Sequence, residues 1–258
     1  MRRQITAAAL ALTALACAGT AQGELVQEGN LRVSFSGSLL PRALPRSRPA
    51  PVTVRLSGQV GTVDGSRPPQ LRKISIAVNR AGQVSMAGLP TCTAPVLQQT
   101  STEAALALCR PALVGHGHFA VNVDLPNTSL IPAHGQVLVF NTRSGGRSGL
   151  LLHLYGSSPV RATFVLPFEV SRHSQGRFGT VFSTKIPRIA SDLGYVTDLD
   201  LTIGRRYRYA GKRRSFLSAS CAAPAGFPGA IFELARGTFT FSGGQRLITS
   251  LESNCKVR

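Results

Sequence analysis

Apolar and polar residues alternate along most of the chain after its first two dozen positions. Leu31, Val33 and Phe35 are separated by polar neighbours, and Val52, Val54 and Leu56 repeat the pattern. Further runs lie at 74–78, 119–125, 137–140, 150–155, 164–170, 181–186, 199–203, 216–219, 239–241 and 247–251. A period of two puts successive side chains on opposite faces, as in a half-buried strand. About a dozen such runs, with turn residues between them, predict an all-β fold: an antiparallel sandwich of immunoglobulin-like or jelly-roll type. Asn79-Arg80-Ala81-Gly82 and Ser242-Gly243-Gly244-Gln245 are each expected to close a hairpin.

One segment breaks the pattern. Residues 100–109 offer Ser101 or Thr102 as a helix cap, Glu103 in the first turn and the strong formers Ala104-Ala105-Leu106-Ala107-Leu108. Pro111 stops this short helix, which is expected to flank or plug the sheet. Residues 41–51 are proline-rich and basic and read as an extended connector. A single domain over 24–258 is the favoured organisation, with two sandwiches divided near 126–135 as the alternative.

The N-terminus changes the setting. Met1-Arg2-Arg3-Gln4 is followed by an Ala- and Leu-rich apolar stretch, and Ala21-Gln22-Gly23 fits the small-x-small rule of signal peptidase. Residues 1–23 therefore read as an export signal, its apolar part too short to span a bilayer. The alternative makes Cys17 a lipid-anchor acceptor. No later run is long and apolar enough for an integral membrane span, so the expected location is secreted or envelope-associated. Export leaves Cys92, Cys109, Cys221 and Cys255, an even set that reads as disulfides. Three pairings are possible, and the two sequence-local ones are the simplest. No C-x-x-C spacing supports a zinc site.

Composition excludes some classes. With 43% hydrophobic and 16% charged residues the chain is not a disordered polyelectrolyte, and 26 Gly and 16 Pro argue against a coiled coil. The formal net charge is +18, from 29 Lys+Arg against 11 Asp+Glu. A field of that sign favours anionic surfaces. Much of it concentrates in Arg205-Arg206-Tyr207-Arg208-Tyr209-Ala210-Gly211-Lys212-Arg213-Arg214, where Ala210-Gly211 supplies a turn and the rest a basic hairpin. Arg205, Arg206, Arg208, Lys212, Arg213 and Arg214 are the candidate anion contacts. Tyr207 and Tyr209 share one face and are placed to stack on a sugar. A second basic zone comprises Arg42, Arg46, Arg48, Arg55, Arg67, Arg72 and Lys73. Arginine on exposed strands also protects sheet edges, so charge alone does not establish binding.

Other chemistry is thinner. His116-Gly117-His118 leads into a strand, and alternation puts both imidazoles on one face. A copper or zinc site would start so, with His134 or His153 as third ligand. Glu169 with Asp198 or Asp200 is the best pair for glycoside hydrolysis, and Asp192 and Glu233 complete the noteworthy carboxylates. No G-x-S-x-G, H-E-x-x-H or P-loop pattern is present. The expected function is therefore a non-enzymatic envelope binding or structural protein without a cofactor. It contacts an anionic envelope polymer or lipid surface through the basic hairpin, and nucleic acid is not an expected partner of an exported chain. A copper/zinc-dependent or carbohydrate-active enzyme is the alternative.

Residues 203–209, 212–221 and 224–230 together resemble a block found in a group of exported proteins of GC-rich actinobacteria. The spaced Cys92 and Cys109, followed by Ala112-Leu113-Val114-Gly115-His116-Gly117, resemble a second block of the same group. The resemblance implies an exported β-rich setting. It carries no assigned activity and no catalytic residues.

Overall fold

The computed structural model describes residues 24–158, 161–188 and 192–258. The expected export signal over 1–23, and Cys17 with it, lies outside them. In chain order the first strands are β1 (Glu24–Glu28), β2 (Leu31–Leu40), β3 (Ala43–Leu44), β4 (Ala50–Pro51), β5 (Thr53–Thr62), β6 (Leu71–Asn79) and β7 (Gly82–Val84). Two helices follow, α1 (Ala94–Leu97) and α2 (Thr102–Cys109). Next come β8 (Leu113–Val123), β9 (Ile131–Ser144), β10 (Arg147–Ser158), β11 (Ala162–Arg172), β12 (Phe178–Lys185) and β13 (Gly194–Ile203). The chain ends with β14 (Arg206–Tyr209), β15 (Lys212–Ser215), β16 (Leu217–Ala219), β17 (Gly229–Phe241) and β18 (Arg246–Val257). Each alternating run of the sequence overlaps one of these strands.

In place of the two facing sheets of a sandwich or jelly roll, thirteen strands form one sheet, ordered β1-β2-β5-β13-β8-β9-β10-β11-β12-β6-β17-β18-β3. Every pairing in it is antiparallel except the terminal β18–β3 pair. β8 and β9, on either side of the 124–130 connection, pair directly in this sheet. It curls until β18 stands beside β2. A Cβ at Gly37 on β2 would lie 2.9 Å from Leu251 of β18, and Phe35 meets Phe239 edge-on with centroids 6.1 Å apart. β1 bridges the seam: it pairs with β2, while the Glu24 carboxylate accepts from Thr249 Oγ1 at 3.2 Å and from the Ser250 N–H. Register shifts at 113–115, 156–158, 178–180, 196–198, 233–235 and 240–241 add bends to the ordinary twist.

The inward residues make two clusters. One joins Leu31, Val33 and Phe35 to Phe239, Leu247 and Leu251; the other joins Val137 and Val139 to Leu150, Leu152 and Phe216. A third cluster lies outside the curl, where Leu97, Ala105 and Cys109 cover Leu138, Phe140 and Leu151. Strands β9 and β10 are therefore buried on both faces, which explains their continuous apolar runs at 137–140 and 150–152. α2 realises the expected helix: Ser101 is its cap and accepts from the Ala104 N–H at 3.3 Å. The 79–82 turn forms, but it does not close a hairpin. β7 leaves β6 and pairs with β16 in a small sheet ordered β4-β16-β7. The 242–245 turn does join the paired strands β17 and β18.

The cysteines pair locally, as Cys92–Cys109 and Cys221–Cys255. The first ties the α1–α2 layer down. The second ties the chain after β16 to β18.

Candidate anion-binding site

One end of the curl collects the small sheet, both disulfides and the β14–β15 hairpin. Ala210 and Gly211 both have positive φ, 48° and 73°, the conformation a two-residue hairpin turn requires. Register places Tyr207 opposite Arg214, Arg208 opposite Arg213 and Tyr209 opposite Lys212. Directly opposed residues share a face, so Tyr207, Tyr209, Lys212 and Arg214 occupy one side and Arg206, Arg208 and Arg213 the other.

The tyrosine side rests on the protein. Tyr207 Oη donates to the Ala87 carbonyl at 2.8 Å, and the Tyr209 ring lies so close to Gly88 that a Cβ there would fall 2.0 Å from it. Gly88 also has φ 75°, so both space and backbone require glycine. Arg205 is spent in a similar way: its guanidinium donates to the carbonyls of Pro111 at 2.6 Å and Leu113 at 2.7 Å, pinning the root of the hairpin. Arg206, Arg208, Lys212, Arg213 and Arg214 are exposed, and none is in an ion pair among the described residues. The ten-residue basic run thus divides into anchors (Arg205, Tyr207, Tyr209) and free cations. Sequence has no signal for that division, because it depends on which carbonyls lie beneath.

The second basic zone does not converge. Arg46 donates to the carbonyls of Ala223, Pro224 and Phe227 near the hairpin end. At the far end Arg72 grips the Asp192 carboxylate with two bonds, 2.8 and 2.7 Å, which holds that carboxyl below its ordinary range. Arg67 reaches Asp124 at 3.7 Å.

His116 and His118 project from the exposed face of β8, as alternation predicts. His153 does not join them. It is fully buried on β10 against the helical layer, its Nε2 3.0 Å from the Thr100 carbonyl, and burial pushes the imidazole toward its neutral form. Among the described residues no three His, Cys, Asp or Glu side chains are placed to hold a metal ion. Glu169 lies on β11, four strands from β13 in the sheet order, and both it and Asp198–Asp200 point outward. They do not face each other across a cleft. Gln59 Nε2 donates to the Asp198 carboxylate at 3.0 Å; burial, together with the Asp200 charge, raises its carboxyl.

Glu233 is the most heavily bonded carboxylate among the described residues. Ser250 Oγ, Arg236 Nε and Arg177 Nη1 donate to it at 2.6, 2.9 and 2.9 Å. Burial pushes this carboxyl up, but those donors outweigh it and leave the group below its ordinary value of 4.5. A depressed carboxylate contributes stability that is present above its unfolded pKa and lost as pH falls through the folded one. Glu233→Gln is therefore expected to cost about 1–3 kcal/mol at neutral pH. Melting curves of the two proteins should converge well below pH 4.5. An offset that stays constant across that range would contradict the assignment.

Fold and site define an all-β, disulfide-stapled protein carrying an unneutralised cationic hairpin at one end of a curled sheet. No protein-family model matches the chain, and no curated protein or solved structure matches it. No helix among the described residues is long and apolar enough to cross a membrane.

Proposed function

We propose that this is an exported, non-enzymatic protein of the cell envelope that contacts an anionic polymer or lipid surface through the outward face of the β14–β15 hairpin. The observation that carries the reading is Arg208 directly opposite Arg213, with Arg206 on the same side and, among the described residues, no carboxylate paired to any of them. Like charges opposed across a strand pair destabilise it, so their local contribution to the fold is unfavourable. An external phosphate, sulfate or carboxylate reverses that sign, and guanidinium forks bind such groups bidentately. The two disulfides fit an oxidising compartment, and the resemblance to exported actinobacterial proteins fits the same setting.

The test is Arg213→Glu, which turns the repulsive pair into an attractive one. Each basic residue near an anionic lipid surface contributes about 1 kcal/mol, so reversing one charge should weaken binding to anionic vesicles roughly thirtyfold at low salt. The melting temperature should hold or rise. Arg205→Gln gives the opposite outcome: a lower melting temperature and unchanged binding of the folded protein, because its donors serve internal carbonyls. Equal, salt-insensitive binding of native protein and Arg213→Glu to anionic vesicles and isolated cell walls would remove the hairpin from function.

A further inference from the structure

One side chain is missing from the inner face of the curl. Along β5 the inward row is Val54, Leu56, Gly58 and Val60, so a glycine interrupts three apolar residues. Register sets Gly58 between Phe35 of β2 and Leu199 of β13, both of which turn inward. Directly opposed residues share a face, so the gap at Gly58 faces the interior. The neighbours do not close it: a Cβ built there meets nothing nearer than the Ser34 carbonyl oxygen, 3.9 Å away. Gly58 lines a cavity of about 170 Å³, whose wall is almost wholly apolar and includes Ile76, Leu152, Leu201, Phe216 and Phe239. Packed interiors keep few voids larger than a water molecule, and this one is well above that size. Water gains little there, because the wall offers it almost no polar partner.

We propose that this cavity is a binding site for one small, uncharged, apolar molecule, the size of a single aromatic ring. The size matches: an engineered apolar cavity of about 150 Å³ in another protein takes up benzene. The wall selects against charge and hydroxyl groups, since a polar atom buried there finds no partner. The guest occupies the space that a side chain at position 58 would fill. At the hairpin end the cavity is covered by the small sheet, through Gly82–Val84 of β7 and Leu217–Ala219 of β16. Ladders of two and three residue pairs hold that sheet together. A cover with so few bonds opens locally more readily than the long strands, which admits a small guest. The site uses none of the hairpin cations, so this inference and the proposed envelope contact stand or fall separately.

The test titrates the full-length protein calorimetrically with benzene and with phenol, a ring of nearly the same size that carries a hydroxyl. Saturable one-to-one binding of benzene is expected, with phenol about tenfold weaker because its hydroxyl is buried without a partner. Benzene should also raise the melting temperature, as any ligand of the folded state does. Gly58→Leu fills the cavity from a position with room for the first carbon. It is expected to weaken benzene binding by about tenfold or more, with an unchanged or higher melting temperature. The absence of saturable benzene binding, or benzene binding unchanged in Gly58→Leu, overturns the proposal. If Gly58→Leu does not fold, the native protein decides: phenol bound as tightly as benzene overturns it. Arg213→Glu, which tests the hairpin, should leave benzene binding intact.

Discussion

Replacing Cys221 and Cys255 together by alanine is expected to lower the stability of the protein by about 4 kcal/mol, the chain-entropy value for a loop of this length. The two residues are separated by 34 positions, and both sulfurs are enclosed in the main core, at 0% and 4% exposure. Cys221 follows β16, and Cys255 lies near the end of β18, so the bond fastens the small β4-β16-β7 sheet to the last long strand of the curl. Without it, the segment that returns from the hairpin keeps only short ladders, such as Cys221 N–H to the Pro45 carbonyl at 2.9 Å and Ser220 N–H to Ala81 at 3.1 Å. For a domain of this size the loss corresponds to a drop of about 10 °C in melting temperature. Cys92–Cys109, with a separation of 17, should contribute about 3 kcal/mol, and its removal should loosen the α1–α2 layer before the sheet. Chemical denaturation of the native protein and the two double variants measures both. A Cys221/Cys255 variant as stable as the native protein would show that the bond closes no loop that matters.

Phe216→Ala is expected to cost about 3–5 kcal/mol, the usual range for truncating an enclosed phenylalanine. Its side chain is 0% exposed and sits where the interior cavity meets the root of the hairpin. Its backbone is equally committed: the N–H donates to the Arg205 carbonyl at 2.8 Å, and its own carbonyl accepts from Ser85 N–H at 2.9 Å. The residue therefore sets the position of the hairpin relative to the Ser85–Gly88 segment on which Tyr207 and Tyr209 rest. Truncation enlarges a space that is already unfilled, so little collapse is available to offset the loss. Phe216→Leu should recover most of the stability, because it restores most of the buried volume. A denaturation midpoint for Phe216→Ala within a few tenths of a molar of native would contradict the packing described here.

The secondary structure was largely legible from side-chain alternation. Leu31, Val33 and Phe35 share the inner face of β2, and Leu199, Leu201 and Ile203 that of β13, as a period of two demands. The helix over α2 was legible from its cap and its alanines, and the local cysteine pairing was the simplest of the three that the sequence left open. The continuous apolar runs in β9 and β10 recorded burial on both faces, although nothing local says that a helical layer provides the second cover. At the candidate site the legible part was charge density: the basic run lies on an exposed hairpin. Its division into anchors and free cations was not legible, since Arg205 and Arg208 differ only in what lies within reach of their guanidiniums.

By itself, then, the sequence located most of the long strands and the inward face of those that alternate, placed the helix α2 to within a residue or two, and showed that the chain is strongly basic. These are properties of near neighbours: the pleat alternates side chains locally, and capping and turn geometry act over a few residues. Only the tertiary structure decided that the strands make one curled sheet instead of two facing ones. That choice rests on strand order, in which β13 lies between β5 and β8, and β6 between β12 and β17. Such pairings join residues far apart in the chain, and alternation is the same whichever partner a strand takes. The curl in turn created the apolar cavity between the inward faces of these strands.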